Sequence, residues 1–136
     1  MNDHLANHQF VECFVIDDAT HEVLLSASHI DKDGLWGGLK NYLNENVQDP
    51  IYSAIATTQE HINCLIPPSE WILLGTHKTS SSTTVLFATT WDLSRMKYIS
   101  NNLLRVPLGK IKNHSNINPY VKDLLSSFGS EDSAAF

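Results

Sequence analysis

The segment that most limits what this chain can fold into runs from Asp49 to Pro68. Pro50 suits the first position of a helix, where a fixed φ is no handicap and no amide hydrogen is needed, and Asp49 stands where a side chain can cap. From there Ile51, Ile55, Thr58, Ile62 and Leu65 recur at steps of three and four, which lays out one apolar helical face to about Cys64. Pro67 and Pro68 stop the helix. A chain with this amphipathic helix in its middle needs a surface to cover, and the flanking sequence supplies one.

Residues 9–16 (Gln-Phe-Val-Glu-Cys-Phe-Val-Ile) and 22–26 (Glu-Val-Leu-Leu-Ser) are rich in apolar and β-branched side chains, with a polar turn between them, and read as a hairpin. A loop follows through Asp-Lys-Asp-Gly, then Leu35-Trp36-Gly37-Gly38 and a short extended piece ending near Leu43. Beyond the helix, residues 70–75 and 83–90 form two further strands joined by the polar tip from His77 to Ser82. Residues 92–108 fit two patterns: Leu93, Met96, Ile99 and Leu103 are helically spaced, while 103–108 reads as a strand. Residues 119–128 make a short last helix with Asn118 as cap and Gly129 as stop. Residues 1–129 are therefore expected to form one domain, and 130–136 a flexible tail.

A hydrophobic content of 42% and a charged content of 18% suit a globular domain, and no apolar run approaches the roughly 18 residues that cross a bilayer. The N-terminus has neither a basic start nor an apolar stretch, so a cytoplasmic address is expected and no membrane partner. Cys13 and Cys64 lack the paired spacing of a zinc or redox site and read as buried thiols. The net charge of -6 is unevenly spread. Eleven acids against Lys32 and Lys40 occupy residues 1–70, whereas 93–122 carries six basic residues and no acid. Arg95, Lys97, Arg105, Lys110 and Lys112 in that stretch are candidates for binding an anion or a nucleic acid. Gly34, Gly37 and Gly38 match neither the Walker nor the dinucleotide spacing, and no Gly-x-Ser-x-Gly elbow exists to activate a serine.

The order of hairpin, Gly-Leu-Trp-Gly-Gly loop, short strand, helix, strand, hairpin tip, strand and late helix resembles the Nudix family over nearly the whole chain. That resemblance implies an α+β fold in which a mixed β-sheet is packed between helices. The family's box has a Gly, five residues, a Glu, seven residues, then Arg-Glu, an apolar residue, any residue, Glu-Glu, any residue, Gly and an apolar residue. Keeping the helix acids away from the packed face selects the register from Tyr42 to Cys64. It sets Ala56 on the Arg, Thr57 on the next Glu, Glu60 and His61 on the Glu-Glu pair, Asn63 on the closing Gly and Cys64 on the closing apolar residue. At the front it sets Tyr42 on the Gly and Gln48 on the Glu. Gly38 is the better counterpart of that Gly, with four extra residues before the helix, which moves the first Glu to Asn44 beside Glu45.

Nudix enzymes cleave nucleoside diphosphates linked to another moiety with a divalent metal held by the box glutamates, so the resemblance implies a degraded centre. Thr57, Glu60 and His61 are expected on one helix side opposite Ile51, Ile55 and Ile62, with one carboxylate left for Mg2+. Binding of a nucleotide-type ligand or a protein partner ranks first, with Trp36 and Trp91 as stacking rings and His61 and Lys40 as further ligand contacts. A divergent Mg2+-dependent pyrophosphohydrolase, with metal on Glu60, Glu45 and Asp92 and His61 as proton carrier, ranks second. Nucleic-acid or anion binding through residues 95–122 ranks third.

Overall fold

The computed structural model describes residues 8–27, 34–43, 49–96 and 102–127. Its elements are β1 (His8–Asp17), β2 (Glu22–Ala27), β3 (Trp36–Gly37), β4 (Leu39–Tyr42), α1 (Pro50–Ile62), β5 (Trp71–Lys78), β6 (Ser82–Trp91), β7 (Leu103–Pro107) and α2 (Pro119–Ser126). Short 3-10 segments occupy Pro68–Glu70, Leu93–Arg95 and Leu108–Asn113. Within the open stretch 92–108, Leu93–Arg95 form a turn and Leu103–Pro107 take the strand reading, while 97–101, with Ile99 of the helical reading, lie outside the described residues. Gly129 and the tail 130–136 lie outside the described residues.

β1 is the spine of the sheet. It pairs in parallel with β6 from His8↔Ser82 to Asp17↔Trp91, and its other side is shared by β4 (Phe10↔Tyr42 to Cys13↔Leu39) and β2 (Val15↔Leu24, Ile16↔Val23), both antiparallel. β2 also carries β3 and β7, and β5 closes the far side on β6. Every β1 residue from Phe10 to Asp17 is buried, as expected of a central strand covered on both faces, which is why it reads as a near-continuous apolar run.

Alternation along the strands builds two cores. Val11, Cys13 and Val15 pack with Leu39, Phe87, Trp71, Leu93 and Ile66 beneath α1, whose Ala54 and Ile62 are buried there. Phe14 and Ile16 pack with Val23, Leu25, Leu86, Ala88 and Val106 beneath the C-terminal segment, which contributes Leu108, Ile111, Ile117, Val121 and Leu125. The mixed sheet between helices is the expected α+β architecture. No helix among the described residues is long and apolar enough to cross a membrane.

The ends of α1 form as their residue types dictate. Asp49 accepts from the Ile51 amide at 3.1 Å, and Asn63 takes the left-handed conformation at φ 57°, its N–H returning to the Gln59 carbonyl. The buried face is rotated from the expected one. Ser53, Ala54, Thr57, Thr58 and Ile62 are buried, Ile51 and Ile55 only partly, and Leu65 is 64% exposed. Small side chains at the centre of the contact let the helix sit close to β1, where the Cys13 thiol donates to the Ala54 carbonyl at 3.6 Å. The bulkier isoleucines fall on its flank.

Candidate functional site

On the α1 side, Glu60 is an exposed helix carboxylate whose Oε1 accepts from Asn41 Nδ2 at 2.8 Å. Asn41 lies on β4 opposite Val11, so the sheet itself positions the amide. His61 Nδ1 lies 2.8 Å from the Thr57 carbonyl oxygen. A carbonyl can only accept, so Nδ1–H is the donor in that contact. Thr57 is turned into the protein, correcting the expectation that its hydroxyl shares an open side with Glu60 and His61. An exposed carboxylate already holding an amide, a buried hydroxyl and a half-buried imidazole do not fit a hard cation, which prefers several charged oxygens. Glu45 lies outside the described residues.

Asp92 does not join Glu60. Trp91 faces Asp17 while Asn41 faces Val11, and the six residue steps along β1 between these positions span about 20 Å. Asp92 instead caps its own turn, accepting from the Ser94 amide at 3.0 Å, and its carboxylate clusters with those of Asp17 and Asp18, all within 4.8 Å of one another. Asp17 is already engaged by the Leu93 amide (3.3 Å), the Thr20 hydroxyl (2.8 Å) and the Arg105 guanidinium (2.7 Å). Burial pushes its pKa up, but these donors and the Arg105 charge outweigh it and hold Asp17 below the usual carboxylate value.

The same pairing corrects the basic stretch. Arg105 binds Asp17 and Glu22 (3.1 Å), so its charge is spent on two acids of the β1–β2 turn region. Lys110 and Lys112 are exposed on the 3-10 turn Leu108–Asn113, Lys97 lies outside the described residues, and Arg95 is described only in its backbone.

The opposite side of the sheet holds a group that sequence reasoning passed over. Glu12, 1% exposed, sits in the middle of β1. Its Oε2 accepts from the Gly38 amide at 2.7 Å, and its Oε1 accepts from the Tyr120 hydroxyl of α2. The double glycine is what permits this approach: a Cβ on Gly38 would lie 2.8 Å from the Cys13 carbonyl oxygen and 2.8 Å from Glu12 Cγ. Tyr120 in turn stacks on His77 of β5, ring centroids 3.9 Å apart and 8° from parallel. Lys40, also buried, is the register partner of Glu12 across β4, with its ammonium 4.8 Å above the Phe10 ring. A charge inside Phe-Val-Glu-Cys-Phe-Val-Ile was the available signal, since a solvated acid has no place in a strand covered on both faces.

The four expected ligand contacts do not share one pocket. Trp36 packs on the α2-side core and is woven into the chain before α2, its N–H donating to the Asn116 carbonyl at 2.8 Å and its carbonyl accepting from the Asn118 amide at 3.0 Å. Trp91 packs on the α1-side core at the far end of β6. Lys40 belongs with Glu12, and His61 with α1. Cys13 is fully buried, and burial pushes its thiol up to about 12, whereas Cys64 is only partly buried.

No protein-family model and no curated protein sequence matches the chain. Solved structures do. The NUDIX domain of Shewanella oneidensis NrtR, in complex with ADP ribose, superposes with a TM-score of 0.67 at 15% identity, covering 90% of this chain and 88% of that one. A NUDIX-family hydrolase from Clostridium perfringens gives 0.67 at 16% identity, covering 89% and 94%. The C-terminal domain of mouse MUTYH, in complex with human PCNA, gives 0.72 at 15% identity, covering 94% and 90%. These likenesses show that the chain has the Nudix fold.

Proposed function

We propose that this chain is a binding domain built on the Nudix fold, with a protein partner as its ligand and without metal-dependent hydrolysis. The observation that carries the reading is the state of Glu60: it is the one acid in α1, and the Asn41 amide already occupies it. A hydrolase of the usual kind draws both an activated water and charge compensation on the diphosphate from its metal, together worth several kcal/mol of barrier as a rough magnitude. The α2 side supports a protein partner over a small molecule, since Phe10, Glu12, Lys40 and Thr84 are all buried and Glu12 is closed over by Tyr120. Exposed Tyr42 and Tyr52 offer the aromatic surface that protein interfaces favour. The mouse MUTYH domain of similar fold, in complex with PCNA, is a precedent for such a role.

A second reading, a nucleotide-type ligand, draws on the half-buried His77–Tyr120 stack and on the NrtR domain's complex with ADP ribose. Three measurements separate the readings. Incubation with ADP ribose and a panel of nucleoside diphosphate derivatives, with Mg2+ or Mn2+, is expected to give no turnover. Magnesium-dependent turnover that disappears in Glu60→Gln sinks the proposal in favour of the hydrolase. A rise in melting temperature with ADP ribose, abolished by Tyr120→Ala, moves the ligand to the nucleotide class. Nucleic-acid binding that weakens steeply with salt, and is lost on replacing Lys110 and Lys112, instead supports the basic stretch.

A further inference from the structure

The last helix is fastened to the sheet differently from the strands beneath it. β1 is stitched to β6 by backbone pairing along its whole length, from His8↔Ser82 to Asp17↔Trp91. A helix meets its backbone needs internally, so α2 is held by its side chains. Val121 and Leu125 are buried in the core on that side, while Tyr120 lays its ring on His77 and donates its hydroxyl to Glu12. With eight residues, α2 is shorter than the roughly 12 to 15 below which an isolated helix is marginal in water. Once undocked it melts, and the backbone freedom regained offsets part of the burial lost. The chain leading into it stays pinned: Trp36 donates to the Asn116 carbonyl at 2.8 Å, accepts from the Asn118 amide at 3.0 Å and bridges to Ile117, itself buried. The clamp ends at Asn118, which sets a pivot there.

We propose that α2 is a lid, hinged at Asn118 and latched by Tyr120, that opens as a unit while the sheet stays folded and so controls access to the Glu12 carboxylate. Closed, the latch leaves Glu12 1% exposed. Open, it takes the phenol away from Oε1, and water or a donor from a binding partner fills that place. Oε2 keeps the Gly38 amide, which belongs to the sheet side of the contact, so the carboxylate remains aimed as it becomes accessible. The opening is a property of the free chain and stands whether or not the binding role proposed above is correct.

Hydrogen exchange of the full chain, followed amide by amide, tests this. Protection of the α2 amides in residues 122–126 is expected to be at least about tenfold lower than in β1 and β6, and to respond more weakly to low urea, because opening the lid exposes less surface than unfolding. Tyr120→Phe keeps a ring against His77 and removes the hydroxyl, and is expected to speed exchange in α2 about tenfold. Phe87→Leu loosens the core beneath α1, and is expected to speed exchange in the strands while leaving α2 unchanged. Exchange of α2 in step with β1 and β6 at every urea concentration overturns the proposal, and the wild-type chain alone decides that. So does a Phe87→Leu chain in which α2 speeds up as much as the strands, or a Tyr120→Phe chain in which α2 is unmoved.

Discussion

The two faces of the sheet each carry a glutamate in a telling position, and the two are held in opposite ways. Glu60 on the α1 side is exposed and meets one amide, that of Asn41. Glu12 on the α2 side is 1% exposed and is gripped by a backbone N–H and a phenol from two separate elements. Burying a carboxylate is costly unless its oxygens are bonded, so the second arrangement is integral to the packing while the first sits lightly on the surface. In this chain the acid on α1 is therefore expected to be dispensable to the structure, and the acid in β1 is not.

The sharpest way to break that contrast is to make the same substitution on both sides. Glu12→Ala strands the Gly38 amide and the Tyr120 hydroxyl in the interior, and should cost about 3 kcal/mol or more in urea unfolding. Gly38→Ala attacks the same contact from the other partner by forcing a methyl to 2.8 Å from the Cys13 carbonyl oxygen. It should cost about 2 kcal/mol, and a neutral result would show that the turn gives way freely.

Next in size is a pH effect, which asks whether ion pairing at the strand ends matters beside either glutamate. The folded pKa of Asp17 is depressed, so its contribution is complete above the unfolded value of about 3.9 and is lost as pH falls through the folded value. Arg105→Gln removes one of the causes of that depression, so the loss of stability between pH 5 and pH 2, both rough bounds, should become shallower. An unchanged acid limb would assign the depression to Thr20 and the backbone amides alone.

Smallest is Glu60→Ala, expected to move stability by no more than about 0.5 kcal/mol, since the side chain is exposed and alanine favours helix. Parity with Glu12→Ala would erase the comparison.

Legibility in the sequence followed the range of the contact. The Asp49 cap, the Asn63 terminus and both hairpins depend on near neighbours, and each formed as those neighbours require; the helix ends at Asn63, so the expected stop at Pro67-Pro68 is not what terminates it. The face of α1 was harder, because isoleucines mark hydrophobicity, while closeness to β1 selected Ser53, Ala54 and Thr57. Arg105 looked free because its acids, Asp17 and Glu22, lie more than eighty residues away. Glu12 showed itself as a charge in an apolar run, yet its partners Gly38 and Tyr120 belong to segments that only the fold brings together. Among the described residues two buried polar side-chain atoms lack a hydrogen-bond partner, the Thr58 hydroxyl, which opposes the burial-driven rise in the Cys13 pKa, and Arg105 Nε.

The parallel match of β1 with β6 sets a timetable for synthesis. Each pair joins residues 74 positions apart, from His8 with Ser82 to Asp17 with Trp91. At typical translation speeds that gap takes roughly 4 to 15 s to fill, during which the central strand of the sheet waits without its longest partner. The nascent chain must therefore keep residues 10–16 from meeting a neighbour's, and it completes its sheet late and nearly all at once.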